Sequence, residues 1–167
     1  MSNQPLIAVI MGSESDMEVM SKGVECLKKL KVPFELDIVS AHRTPDKMFD
    51  YASNLFDRNF AAVIAGAGGA AHLPGMVASL TILPVIGVPI SSTKMNGLDS
   101  LYSIVQMPAG VPVATVAIDN SENAAILATQ ILLRSHPKFA VNLELFRSER
   151  KNKVLSSSKN RKFTFSP

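Results

Sequence analysis

A single cysteine, Cys26, no tryptophan and only two tyrosines occur in the 167 residues. One thiol cannot form an internal disulfide, and this fits a reducing, cytoplasmic setting. No apolar run approaches the roughly 18 residues needed to span a bilayer. Residues 82–90 and 111–118 come nearest, and prolines interrupt both. Residues 1–11 lack a basic stretch followed by a small-residue cleavage site, so no secretory signal is expected. Also missing are the Gly-Lys-Ser/Thr of a P-loop and any cluster with metal-ligand spacing, so no metal is expected. The first apolar run ends without the paired acids of a phospho-receiver domain, and no Asp ends the third. A disulfide scaffold, a membrane span, a P-loop NTPase and a signalling receiver are thereby disfavoured.

Charge is present but unevenly placed. The net charge of +3 conceals a basic end, because residues 147–167 hold seven Lys/Arg and one Asp/Glu. The preceding residues hold ten basic and thirteen acidic side chains and are net acidic. A basic tail is able to touch RNA or a membrane surface. Few aromatics interleave with its cations, so a solvated extension is the expectation, with no nucleic acid or membrane partner. Accordingly, residues 1–152 are assigned to one folded domain and residues 153–167 to a basic tail.

Along the chain, strand and helix patterns alternate. Residues 6–11 form a continuous apolar run of strand length, as in a strand covered on both faces. Ser15 with Glu18 reads as a capping box opening a helix whose stripe is Met17, Met20, Val24, Leu27 and Leu30. Residues 34–39 read as a second strand. Thr44 then caps a helix with Pro45 at its first position, running to about residue 58. Residues 61–65 and 84–88 are buried-strand runs separated by a glycine-rich loop and a short helix. A helix at about 98–106, a fifth strand at 113–118, an apolar helix at 123–134 and a last helix at about 138–151 complete the order. Alternation with short connections implies one parallel sheet with helices on both faces.

Ligands of such sheets bind beyond the carboxyl ends of the strands. There the first strand delivers Gly12, Ser13, Glu14, Ser15 and Asp16. The second delivers Ser40, Ala41, His42, Arg43 and Thr44, and the third delivers residues 66–75, with Gly66, Ala67, Gly68, Gly69, His72 and Leu73. Gly12 and Ser13 before a helix suit an anion, since free amides and the helix dipole favour negative charge. Ser15 and Asp16 either cap that helix or meet a ligand. Arg43 either holds a phosphate or pairs with a surface acid. His42 and His72 are acid/base candidates, and their convergence on one edge favours catalysis over a structural role. His136, before Pro137, and Cys26, near the first helical stripe, read as structural. Residues 66–71 match the Gly-x-Gly-x-x-Ala of a dinucleotide fingerprint. No acid follows before Asp99, however, so the ribose-binding carboxylate of that motif is absent and no nicotinamide cofactor is expected. The residues alone thus suggest a small, phosphorylated metabolite handled by histidine without a cofactor.

Four strings carry a resemblance: MGSESD at 11–16, SAHRTP at 40–45, AGAGGAAHLPGM at 65–76 and DSLYSIVQMP at 99–108. Over roughly residues 5–150 the chain resembles the N5-carboxyaminoimidazole ribonucleotide mutase family (PurE, class I). The resemblance implies a single three-layer α/β/α flavodoxin-like domain with a C-terminal helical extension, assembled as a homo-octamer. The last helix would then pack on a neighbouring subunit, which would account for the apolar helix at 123–134. It further implies an isomerase of de novo purine synthesis. The substrate carboxylate would leave the exocyclic nitrogen as CO2 and be recaptured at the ring carbon. Functional coupling to an ATP-dependent synthase of that substrate follows, with no cofactor. By the same resemblance His42 is the general acid/base, and Ser13, Ser40 and Arg43 hold the phosphate. Asp16 accepts from ribose hydroxyls, residues 66–71 hold the carboxylate or CO2, and His72 orients that region. Ser15, Ala41 and Leu73 complete the substrate-binding set. The alternatives are a carboxylase that uses free CO2 and a non-catalytic nucleotide-binding module.

Overall fold

The computed structural model describes residues 6–92 and 94–159. A five-stranded parallel sheet holds β1 (Ile7–Met11), β2 (Phe34–Ile38), β3 (Ala62–Gly68), β4 (Val85–Ile90) and β5 (Ala114–Thr115) in the order β2-β1-β3-β4-β5. Six helices flank it: α1 (Met17–Lys29), α2 (Pro45–Ser53), α3 (Leu73–Ala78), α4 (Leu98–Val105), α5 (Ser121–Leu132) and α6 (Ala140–Lys159). This is the expected three-layer, flavodoxin-like architecture, and the strand order places the switch point at β1 and β3.

All five residues of β1 are buried, which is why a run without polar alternation forms this strand. One face of the sheet, through Ile7, Val9, Met11, Ile64 and Ile86, packs on α1 and α5. The other, through Ala8, Ile10, Val63 and Ala65, packs on Met48, Ala52, Leu73, Val77 and Ile104 of α2, α3 and α4. Such two-sided cover anchors the carboxyl ends of β1 and β3 side by side, with β2 paired to β1 at the sheet edge.

Several boundaries differ from expectation. β3 runs on through Gly68, because its register with β4 pairs Ala67 with Pro89 and Gly68 with Ile90. β5 shrinks to two residues at the sheet edge. α2 ends at Ser53, and α5 begins at Ser121, where the Asn120 side chain accepts from the Asn123 amide 3.0 Å away. The apolar character of α5 is explained largely within the chain. Ala124, Ala125, Ala128 and Leu132 are fully buried in the layer shared with α1, and Leu143 and Phe146 of α6 join the same core. Finally, α6 continues to Lys159, so the first part of the basic tail is helical, while residues 160–167 lie outside the described residues.

Candidate active site

Three loops leave the carboxyl edge together. In the first, Ser13 adopts an extended conformation (φ −159°, ψ 158°) and its Oγ accepts from the Ser15 amide at 3.3 Å. Asp16 Oδ2 accepts from the Ser13 amide at 3.1 Å, closing a reciprocal capping box. The box is therefore Ser13 with Asp16, and the expected pairing of Ser15 with Glu18 is corrected. A single 3-10 turn at Glu14–Asp16 precedes α1, which moves the cap two residues upstream. Ser15 instead donates its hydroxyl to Ser13 Oγ at 3.0 Å. Asp16 is buried, and desolvation raises its carboxyl pKa above the ordinary 3.8, opposed by the Ser13 and Gly12 amides and by the charge of Arg43.

The second loop is a tight hydrogen-bonded turn. Thr44 makes no side-chain cap to α2; its Oγ1 accepts from the Ser40 amide at 3.3 Å and donates to the Ser40 carbonyl at 3.1 Å. Ser40 Oγ in turn accepts from the Arg43 amide at 3.2 Å. With both ends of the turn tied, His42 and Arg43 project from its exposed crest. Arg43 forms no ion pair among the described residues, which leaves its fork of donors available to an anion.

In the third loop Gly69 takes φ +63°, a left-handed value that suits glycine at the turn out of β3. His72 then stands at the start of α3. Its Nδ1 lies 2.8 Å from His42 Nε2, with ring centroids 4.9 Å apart and planes at 85°.

The loops enclose a cleft of about 230 Å³. Ser13, Ser15 and Asp16 line it from the first loop, and Ser40, Ala41, His42 and Arg43 line it from the second. Ala67, Gly68 and Leu73 line it from the third. Gly12 and Ala70 also line it, Gly12 as the expected partner of Ser13 before the first helix and Ala70 within the expected stretch 66–71. Gly66, Gly69 and His72 do not form its wall. Gly66 is buried in the sheet, where an added Cβ would fall 2.4 Å from Met20 Sδ. His72 reaches the cleft only by way of His42. Chemically, the cleft combines an anion-binding rim, a nearby acceptor carboxyl, an apolar wall and a paired imidazole. Among the described residues no group of three or more His, Cys, Asp or Glu is placed to hold a metal ion.

The family model described as AIR carboxylase matches residues 6–153. The N5-carboxyaminoimidazole ribonucleotide mutase of Pyrococcus horikoshii is 54% identical over 158 residues, covering 95% of this chain and 89% of its own. The phosphoribosylaminoimidazole carboxylase of Schizosaccharomyces pombe is 54% identical over 154 residues, covering 92% of this chain and 28% of that longer protein. The crystal structure of Treponema denticola PurE superposes with a TM-score of 0.84 at 27% identity, covering 95% of this chain and 99% of the other.

Proposed function

This chain belongs to the AIR carboxylase family, and we propose that it is an isomerase of purine biosynthesis, a mutase acting on N5-carboxyaminoimidazole ribonucleotide. It moves the carboxyl group from the exocyclic nitrogen to the ring carbon. His42 protonates the carbamate nitrogen, and the C–N bond breaks to release CO2. The ring carbon, nucleophilic like that of an enamine, attacks the retained CO2. His42 then removes the ring proton to restore aromaticity. The proton given first is matched by the proton taken last, so one histidine serves both steps.

A single observation carries this reading: an exposed imidazole, His42, lines the same cleft as Ser13, Ser40 and Arg43. Those three residues hold the phosphate, and the Asp16 carboxyl accepts from ribose hydroxyls. Ala41, Ala67 and Leu73 give the cleft a buried apolar wall against which CO2 is held.

Assembly as a homo-octamer is supported by the exposed Leu98, Tyr102 and Val105 on α4 and Val141 and Leu145 on α6. Among the described residues no helix is long and apolar enough to cross a membrane, and a cytoplasmic location agrees with the free, buried Cys26. Coupling to an ATP-dependent synthase that supplies the carbamate agrees with the greater length of the fungal relative.

The test offers the purified protein the N-carboxylated ribonucleotide and follows the C-carboxylated product with and without bicarbonate. Conversion that does not depend on bicarbonate is the expected result. Turnover confined to the uncarboxylated ribonucleotide plus bicarbonate would make the protein a carboxylase, and binding without turnover would make it a non-catalytic module.

A further inference from the structure

We propose that His72 is a positioning residue that fixes the tautomer of His42, so that Nδ1 of His42 is the atom that gives and takes the proton. The inference rests on the mutase reading above and assigns an atom to it. His42 Nε2 and His72 Nδ1 lie 2.8 Å apart, so one of them carries the shared proton and the other accepts it. Among the described residues neither His42 Nδ1 nor His72 Nε2 has a hydrogen-bond partner.

The two possible arrangements are not equivalent. With the shared proton on His72 Nδ1, neutral His42 carries its own proton on Nδ1 and offers the cleft no base. Its remaining lone pair, on Nε2, is already occupied, so His42 becomes a cation with the contact intact only if the shared proton crosses to it while His72 takes another at Nε2. With the shared proton on His42 Nε2, neutral His42 keeps a bare Nδ1 and can accept there. Once protonated at Nδ1 it can donate there, and the bond to His72 survives both states. This second arrangement alone runs an acid step followed by a base step at one nitrogen with no proton moved on His72. His72 is then the Nε2–H tautomer, and as a neutral acceptor it stabilises the His42 cation.

The surroundings permit the effect to be isolated. The charged groups that line the cleft with His42 are Asp16, from the turn after β1, and Arg43, on the same loop as His42. From the loop after β3 the titratable group packed against it is His72. A change at residue 72 leaves Asp16 and Arg43 in place.

The forward reaction starts from the His42 cation, so activity has an alkaline limb. Loss of the acceptor disfavours the cation and moves this alkaline limb to lower pH. In a His72→Leu variant we expect a shift of about one pH unit and a fall in kcat of about tenfold at pH well above the original limb, with KM within about twofold. A His72→Asn variant places an amide oxygen near the former Nδ1 and should restore the limb. An unmoved limb in the leucine variant, or equal profiles for the two variants, would overturn the assignment.

Imidazole 15N spectra of the unaltered protein above the limb give a second test that needs neither turnover nor a variant. His42 protonated at Nε2 and bare at Nδ1 is expected, and the opposite tautomer would refute it. Absence of turnover in the unaltered protein would count against the mutase reading alone, because the spectrum still decides the tautomer.

Discussion

Gly66 and Gly68 stand two residues apart on β3, and the structure gives an alanine opposite consequences at the two positions. At Gly66 an added Cβ would lie 2.4 Å from Met20 Sδ and 3.0 Å from Ile90 Cδ1. Met20 is fully buried, so its sulfur has to leave a packed core position. Overpacking of this kind costs about 1–3 kcal/mol. At Gly68 the same atom meets Ile90 O at 3.4 Å and nothing closer, so the fold tolerates it to within about 0.5 kcal/mol. Gly68, however, lines the cleft and Gly66 does not. A methyl on that wall obstructs close approach of the ligand, and a loss of about 1.4 kcal/mol in binding would raise KM about tenfold. Urea unfolding at fixed protein concentration, with steady-state kinetics on the same samples, separates the two effects. Gly66→Ala should lower the midpoint and keep KM, whereas Gly68→Ala should keep the midpoint and raise KM. A Gly66→Ala protein of full stability with a raised KM would show that residue 66 acts on the ligand and that the packing argument is wrong.

Three further outcomes are expected. His42→Asn should reduce turnover by about 10²–10⁴-fold with nucleotide binding nearly intact, measured by single-turnover kinetics and equilibrium binding; substantial retained activity would move the acid/base role elsewhere. Because burial raises the Asp16 pKa above 3.8, the folded protein binds this proton more readily than the unfolded chain. Its contribution is therefore present below the unfolded value and fades as pH rises through the folded one. Asp16→Asn, uncharged throughout, should gain stability relative to the parent as pH rises through that interval, read from urea midpoints; a relative loss would reverse the sign. The Cys26 thiol is buried and pushed up to about 11, by desolvation first and then by the charge of Glu122, so it should resist thiol reagents at neutral pH until urea unfolds the chain. Rapid labelling of the folded protein would refute that burial.

Legibility in the sequence followed the physical cause of each element. β1 was readable because burial on both faces demands an unbroken apolar run, and residues 7–11 supply it. The run at 113–118 looks the same but arises differently. Val113 packs on the α4 side and Val116 on the α1 and α5 side, while only Ala114 and Thr115 pair with β4. A loop packed against both layers thus mimics a strand. The end of α6 was hidden for the converse reason, since residues 147–157 are exposed and the sequence there carries neither apolar period nor glycine to mark a stop. The Ser13–Asp16 box escaped notice because Ser15 and Glu18 present the same spacing two residues later, and only the 3-10 turn decides between them.

The candidate site was legible as three strings but not as a device. His42 and His72 are separated by 30 residues, and no motif records that they touch. Their strands are not neighbours either, because β1 lies between β2 and β3. At about 4.8 Å per strand, the two flanking strands run roughly 10 Å apart. The rings nevertheless come to 4.9 Å between centroids, so the loops after β2 and β3 lean toward each other over the exit of β1. There the chain places Gly12 and Ser13, whose small side chains leave the space open, and Asp16 turns back to hold the Ser13 amide. The anion rim thus lines the same cleft as His42, and smallness at residues 12 and 13 keeps that cleft open. A bulky side chain at Gly12 should accordingly crowd Asp16 while sparing the sheet, since its Cβ would meet only Asp16 Oδ2, at 3.6 Å, and a raised KM with an unchanged urea midpoint is the expected result.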